Sequence, residues 1–250
     1  MSRPEEFAVV DQWAAEAYLT ALDAGEAVLL RLLDRGVKIH NWMWEQTKAQ
    51  FPDLLPDSPE AEHGYNYKAA KQTVHGLNYG MEPAKGAKES GLPIHVAEWQ
   101  YNHYHSTFPG IKLRQQRIRS EVENNRSATS LLGRKRLFFA PLSQKLLNLA
   151  YAWPSQSCIG EITNIALTRL MYWGRFGKPW CYPSLNTHDG IAIRSYIGER
   201  EPVTELIRKA FYIPITKGPL TIVIPVEIKW GPNFNDLDDA TLLRYENVRA

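Results

Sequence analysis

The chain has little cysteine. Cys158 and Cys181 are the only two in 250 residues, which excludes a disulfide framework and fits a reducing compartment, with the cytoplasm as default. It has no apolar run near membrane-spanning length, and its opening Met1-Ser-Arg-Pro-Glu-Glu lacks the charged-then-apolar order of a signal peptide. It also lacks a strong charge of one sign. A formal charge of +2 gives no bulk electrostatic reason to bind nucleic acid. No internal repeat or low-complexity tract is present, and 44% apolar residues suffice to bury a core of one or two domains. A soluble globular protein away from membranes is expected.

What charge there is lies unevenly. Nine Lys and Arg residues fall between Lys112 and Lys145, and two readings stand open: a solvated helix face or contact with phosphates. His95, His103 and His105 are interleaved with Trp99, Tyr101 and Tyr104 and far from either cysteine, so they read as a packed helix face rather than a zinc site.

The patterning is mixed helix and strand, an α+β chain. Residues 7–11 read as a short buried strand with Asp11 at its end. Helical spacing follows through Tyr18, Leu22, Leu29 and Leu33, with Gly25 interrupting and Gly36 stopping it. A proline-rich loop around Pro52, Pro56 and Pro59 precedes a lysine helix starting near Tyr65. Gly91-Leu-Pro93 breaks the chain, and helices are expected over 94–106 and 112–124, separated by a Phe108-Pro-Gly turn. Residues 134–139 read as a strand, 158–173 as a long helix and 201–210 as another. The span 184–196 reads as a hairpin with Asp189-Gly190 at its tip, where Asp-Gly supplies the positive φ of a type I′ turn. Residues 220–230 read as one long strand at a sheet edge near Pro225.

Asp11 and Asp189, each at a strand end, bracket the helix Lys71-Gln-Thr-Val-His75-Gly-Leu-Asn-Tyr79-Gly80. Two carboxylates so carried can hold two Mg²⁺ ions for phosphoryl transfer. Spacing of four sets Lys71, His75 and Tyr79 along one helix face, able to meet phosphates, sugar and base in turn. Gly76 costs about 1 kcal/mol in a helix interior, to be explained by close approach of a base or by tight packing.

These motifs resemble the polymerase domain of the family A DNA polymerases. Asp11-Gln-Trp-Ala-Ala-Glu16 is similar to the first motif, the lysine helix to the second, and His188-Asp189-Gly190 to the third, with Val37-Lys-Ile-His40, Phe108-Pro-Gly-Ile, Leu132-Gly-Arg-Lys, Ser155-Gln-Ser and Val226-Glu-Ile-Lys-Trp-Gly as further landmarks. The resemblance implies a partial palm from residues 1–20 and 141–250, with an antiparallel sheet, and helical fingers from 21–140. It implies DNA synthesis from dNTPs on primer-template DNA with two Mg²⁺ held by Asp11 and Asp189. Lys71 would act on the phosphates and the leaving pyrophosphate, and Glu16 would fill the place of a ribose 2′-hydroxyl. His40, His75 and Tyr79 would complete the nucleotide site, while Gln156, His188 and Arg134 would touch DNA.

Departures are equally specific. Tyr67 stands where the family has an Arg for the triphosphate, His75 where it has Phe or Tyr, and Gly190 where it has Glu. Lys68 lies about 100° round the helix from Tyr67 and is read as solvated. The family's thumb and opening palm strands have no counterpart before Phe7. A second polypeptide carrying them is therefore expected, covering a sheet edge at 7–11. Two other classes compete: a single-subunit RNA polymerase, against which Glu16 argues, and a non-catalytic DNA-binding subunit derived from a polymerase, motivated by Tyr67 and Gly190.

Overall fold

A computed structural model of the chain describes residues 3–61, 64–176 and 179–245. In chain order, β1 (Glu5–Gln12) leads into α1 (Ala15–Ala24) and α2 (Ala27–Asp34), broken at Gly25 with φ +70°. Next come α3 (Ile39–Gln50), α4 (Tyr67–Asn78), α5 (Pro83–Ser90), α6 (Ile94–Thr107) and α7 (Pro109–Asn125). A small hairpin, β2 (Ser127–Thr129) and β3 (Lys135–Leu137), precedes the long α8 (Gln144–Phe176). The chain closes with β4 (Cys181–Asn186), β5 (Gly190–Tyr196), α9 (Arg200–Phe211), β6 (Ile215–Lys217), β7 (Leu220–Ile222), β8 (Val226–Gly231) and β9 (Thr241–Leu243).

Two compact units result, one of Met1–Glu16 with Ser155–Ala250 and one of Ala17–Pro154. Their boundaries fall inside α1 and α8, not at 20/21 and 140/141.

The first unit is built on an antiparallel sheet of order β4-β5-β1-β8-β9 among the described residues. β1 is therefore central. The expected exposed edge at residues 7–11 is not there: β5 and β8 take both sides of β1, and the edges are β4 and β9. Alternation along β1 buries Glu6, Ala8, Val10 and Gln12 and turns Asp11 outward. Two of the four buried positions are polar, and both find partners: Glu6 meets Arg200 at 2.7 Å, and Gln12 reaches α8. From Ser155 onward α8 underlies this sheet, its Gly174 so close to Cys181 that a Cβ would collide with the sulfur. Arg169 of α8 donates to the carbonyls of Ala210 and Tyr212 at 2.9 and 3.0 Å, tying down the end of α9. The long strand expected over 220–230 is two strands. β7 pairs with β6, and β8 enters the main sheet, the chain changing partners at Val223-Ile-Pro225, where proline cannot donate to a ladder.

The second unit is helical. Arg114 is wholly buried and its Nε lies 2.6 Å from Asp23, which also meets Arg117 at 2.7 Å. Arg114 further donates to the carbonyl of Tyr151 at 2.8 Å. Arg119 pairs with Glu123 one turn on, and Arg126 caps the carbonyls of Phe138 and Ala140. Much of the basic stretch is thus internal bonding rather than an open phosphate surface. The histidines of α6 stack on aromatic rings, His103 on Trp99 at 4.6 Å and on Trp42 at 5.4 Å, and His95 meets Phe51 edge-on. No group of three metal-capable side chains occurs among the described residues. Nor is any helix among them long and apolar enough to cross a membrane.

Candidate active site

In the first unit the ladder sets Asp11 abreast of Gly190 on one side and Glu227 on the other. Asp189, one residue before β5, is held at the same end of the sheet because the Gln12 amide donates to its carbonyl at 3.1 Å. Both aspartates are exposed. Two residues 178 positions apart in sequence are thereby brought to one sheet end.

The turn itself differs from expectation. Gly190 does not have positive φ, so this is not a type I′ turn demanding left-handed backbone. Glycine is required because β1 and β5 lie so close there that a Cβ would run into the carbonyl oxygen of Val10. The turn is clamped from below. Gln12 Nε2 reaches the carbonyls of Ile159 and Asp189 at 3.1 and 3.3 Å and the Thr163 hydroxyl at 2.7 Å. That hydroxyl in turn lies 3.2 Å from the His188 carbonyl. Exposed His188 sits over Gly160 of α8, one turn along from exposed Gln156. Glu16 is half-buried in the first turn of α1.

In the second unit, Asn66 caps α4 by accepting from the Ala69 amide at 3.1 Å, and Gln115 binds the carbonyls of Leu77 and Asn78 at its far end at 2.8 and 3.1 Å. Ala70, Thr73, Val74, Leu77 and Asn78 form the buried stripe. Lys68, Lys71, Gln72 and His75 lie opposite, at i, i+3, i+4 and i+7, and with Glu89 of α5 line a surface cavity of about 670 Å³. Tyr79 is not on this face. It caps the helix, and its half-buried ring packs on the cluster around Ile118, Val122 and Leu147. Gly76 is explained by packing, since a Cβ there would lie 2.6 Å from the Met81 thioether. His40, at the start of α3, meets the Tyr67 ring edge-on at 4.4 Å. Burial, and then the charges of Lys38, Lys71 and His75, lower its pKa to about 4. Arg134 lies exposed at the foot of the small hairpin, its amide bound to Ser130.

The sequence model of DNA polymerase family A matches residues 8–236. The chain belongs to DNA polymerase family A. Among curated relatives, DNA polymerase I of Deinococcus radiodurans is 26% identical over 231 residues, covering 88% of this chain and 22% of that protein. The thermostable DNA polymerase I of Thermus aquaticus is 20% identical over 219 residues, or 83% and 24%. The chain thus spans about a quarter of the length of these relatives. Among solved structures, the POL domain of Pol1 from M. smegmatis, in complex with DNA primer-template and dNTP, superposes with a TM-score of 0.75 at 16% identity, covering 91% of this chain and 39% of that one. The fold is that of a family A polymerase domain.

Within this family A chain, Gln12 and Thr163 are the site neighbours that sequence reasoning passed over. Gln12 and Thr163 carry no chemical signature, and only the α8 packing reveals them. Lys68, read as solvated, is exposed and stands three residues before Lys71, so on nearly the same face.

Proposed function

We propose that the chain is the palm and fingers part of a template-directed DNA polymerase, with the first unit as palm and the second as fingers, adding deoxynucleotides to a primer 3′-hydroxyl. The observation that carries this reading is the convergence of Asp11 and Asp189 at one end of the central strands. Two exposed carboxylates at one sheet end suit Mg²⁺, a hard cation that takes few protein oxygens and leaves its other positions to water and phosphate. Two such ions, when bound, would supply charge stabilisation and an acidified hydroxyl.

The chain's own part is positioning. Asp11 and Asp189 would hold the ions, Lys71 would neutralise phosphate charge and give a proton to the departing pyrophosphate, and His75 would meet the sugar. Glu16 fills the room of a 2′-hydroxyl and selects deoxynucleotides. His40 lies near phosphate, and Gln156, His188 and Arg134 contact primer and template. The thumb, which grips duplex product, comes from residues outside these 250, on a thumb-bearing polypeptide; a net charge of +2 offers little nonspecific DNA affinity in its place.

The test is primer extension with that polypeptide present. Synthesis is expected with it and little without it, and Asp189→Ala should reduce the rate roughly a thousandfold or more. Undiminished extension by Asp189→Ala would end the two-carboxylate reading. Primer-template binding with no extension under any metal would favour a polymerase-derived DNA-binding subunit.

A further inference from the structure

Building on the polymerase reading, we propose that Lys68 takes the terminal phosphate of the incoming nucleoside triphosphate, so that two lysines one turn apart on α4 replace a lysine and an arginine. Three observations lead there. Lys68, Lys71, Gln72 and His75 face one cavity of about 670 Å³, on the exposed stripe of α4. Tyr67, at the position of the family's arginine, is turned to the ring of His40 and brings no cation. The carboxylate on the cavity wall, Glu89, lies 3.5 Å from Lys85, while neither Lys68 nor Lys71 has a carboxylate partner among the described residues.

The order along the helix decides which phosphate. A helix advances about 1.5 Å per residue, so Lys68 lies roughly 4.5 Å beyond Lys71 in the direction away from His75. With sugar at His75 and inner phosphates at Lys71, the next cation meets the phosphate farthest from the sugar. Lysine suits this place as a compact charge with rotatable donors, able to follow a flexible chain end without the fixed fork of arginine. Lys38 and Lys71 already act on His40, so the neighbourhood is one of positive potential, fit for a polyanion.

The experiment needs no DNA. Inorganic tripolyphosphate and pyrophosphate are titrated calorimetrically into the unaltered chain, Lys68→Ala, Lys68→Arg, Lys71→Ala and Tyr67→Phe, with melting curves confirming that each is folded. The unaltered chain should prefer tripolyphosphate. Lys68→Ala should lose roughly tenfold in tripolyphosphate affinity with pyrophosphate little changed, the effect of one charge-assisted contact, and Lys68→Arg should restore it. Lys71→Ala should weaken both anions, and Tyr67→Phe neither. Equal losses for the two anions in Lys68→Ala, an unchanged preference, or no preference in the unaltered chain would overturn the assignment. A chain that shows the expected pattern yet extends no primer with the thumb-bearing polypeptide present would refute the polymerase reading while leaving Lys68 as a triphosphate residue.

Discussion

Gly190 replaces a glutamate of the family's third motif, and the closeness of β1 to β5 explains why no side chain is accommodated. Adding one forces Val10 aside, so Gly190→Ala should destabilise the chain by about 1–3 kcal/mol, read as a lower urea midpoint; an unchanged midpoint would mean that the two strands spread freely. Glu16→Ala should raise ribonucleotide over deoxynucleotide incorporation, measured as the ratio of the two efficiencies. A constant ratio with activity intact would leave Glu16 a helix-start residue. His40 gives a pH effect. Its folded pKa of about 4 lies below the ordinary 6.5, so between those values the unfolded chain binds a proton that the folded chain refuses, and stability falls as pH drops through that window. His105, lowered to about 3 by burial and then by Lys112, acts in the same direction. His40→Gln should therefore lose less melting temperature between pH 7 and pH 5 than the unaltered chain. That Asp11 and Asp189 both stand at strand ends was legible in sequence, and the ladder brings them to one end of the sheet. Lys68, read as solvated, is exposed; measured from Lys71 it lies only about 60° round the helix.

Strand and helix positions could be read wherever a single period ran between clear breakers, as at Gly25 and Gly91-Leu-Pro93, whereas the expected Phe108-Pro-Gly turn is only Phe108, since Pro109 and Gly110 open α7. The reading failed where one apolar run served two sheets, since nothing in Val223-Ile-Pro225 tells β7 from β8 until each has found its partner. It failed again for the buried face of β1, where Glu6 and Gln12 are polar yet inward. Gln12 gives the element-scale prediction. Gln12→Met removes the amide that joins β1, α8 and the Asp189 turn, so hydrogen exchange at residues 187–190 should quicken roughly tenfold with the global melting curve nearly unchanged. Thr163→Val should act in the same direction. Exchange that stays slow in both variants would show that backbone pairing alone holds the turn. The buried Asp23 is a sterner case: Asp23→Ala strands Arg114 and should cost about 3–5 kcal/mol, measured by denaturant unfolding.

At the scale of the molecule, the first unit is discontinuous, its central strand separated from the rest by all of Ala17–Pro154. Both boundaries fall within helices, α1 and α8, the latter at Pro154, whereas the bounds 20/21 and 140/141 came from the family resemblance. The register of β1 also dictates a timetable. On a ribosome β5 follows β1 by roughly 180 residues and β8 later still, a wait of at least about ten seconds at about 5–20 residues per second. Throughout that interval the strand bearing Asp11 has neither ladder partner, and the two aspartates have not met. Closure of the ladder on both sides of β1 therefore waits on residues far downstream, and the waiting strand is the segment a chaperone would be called on to shield.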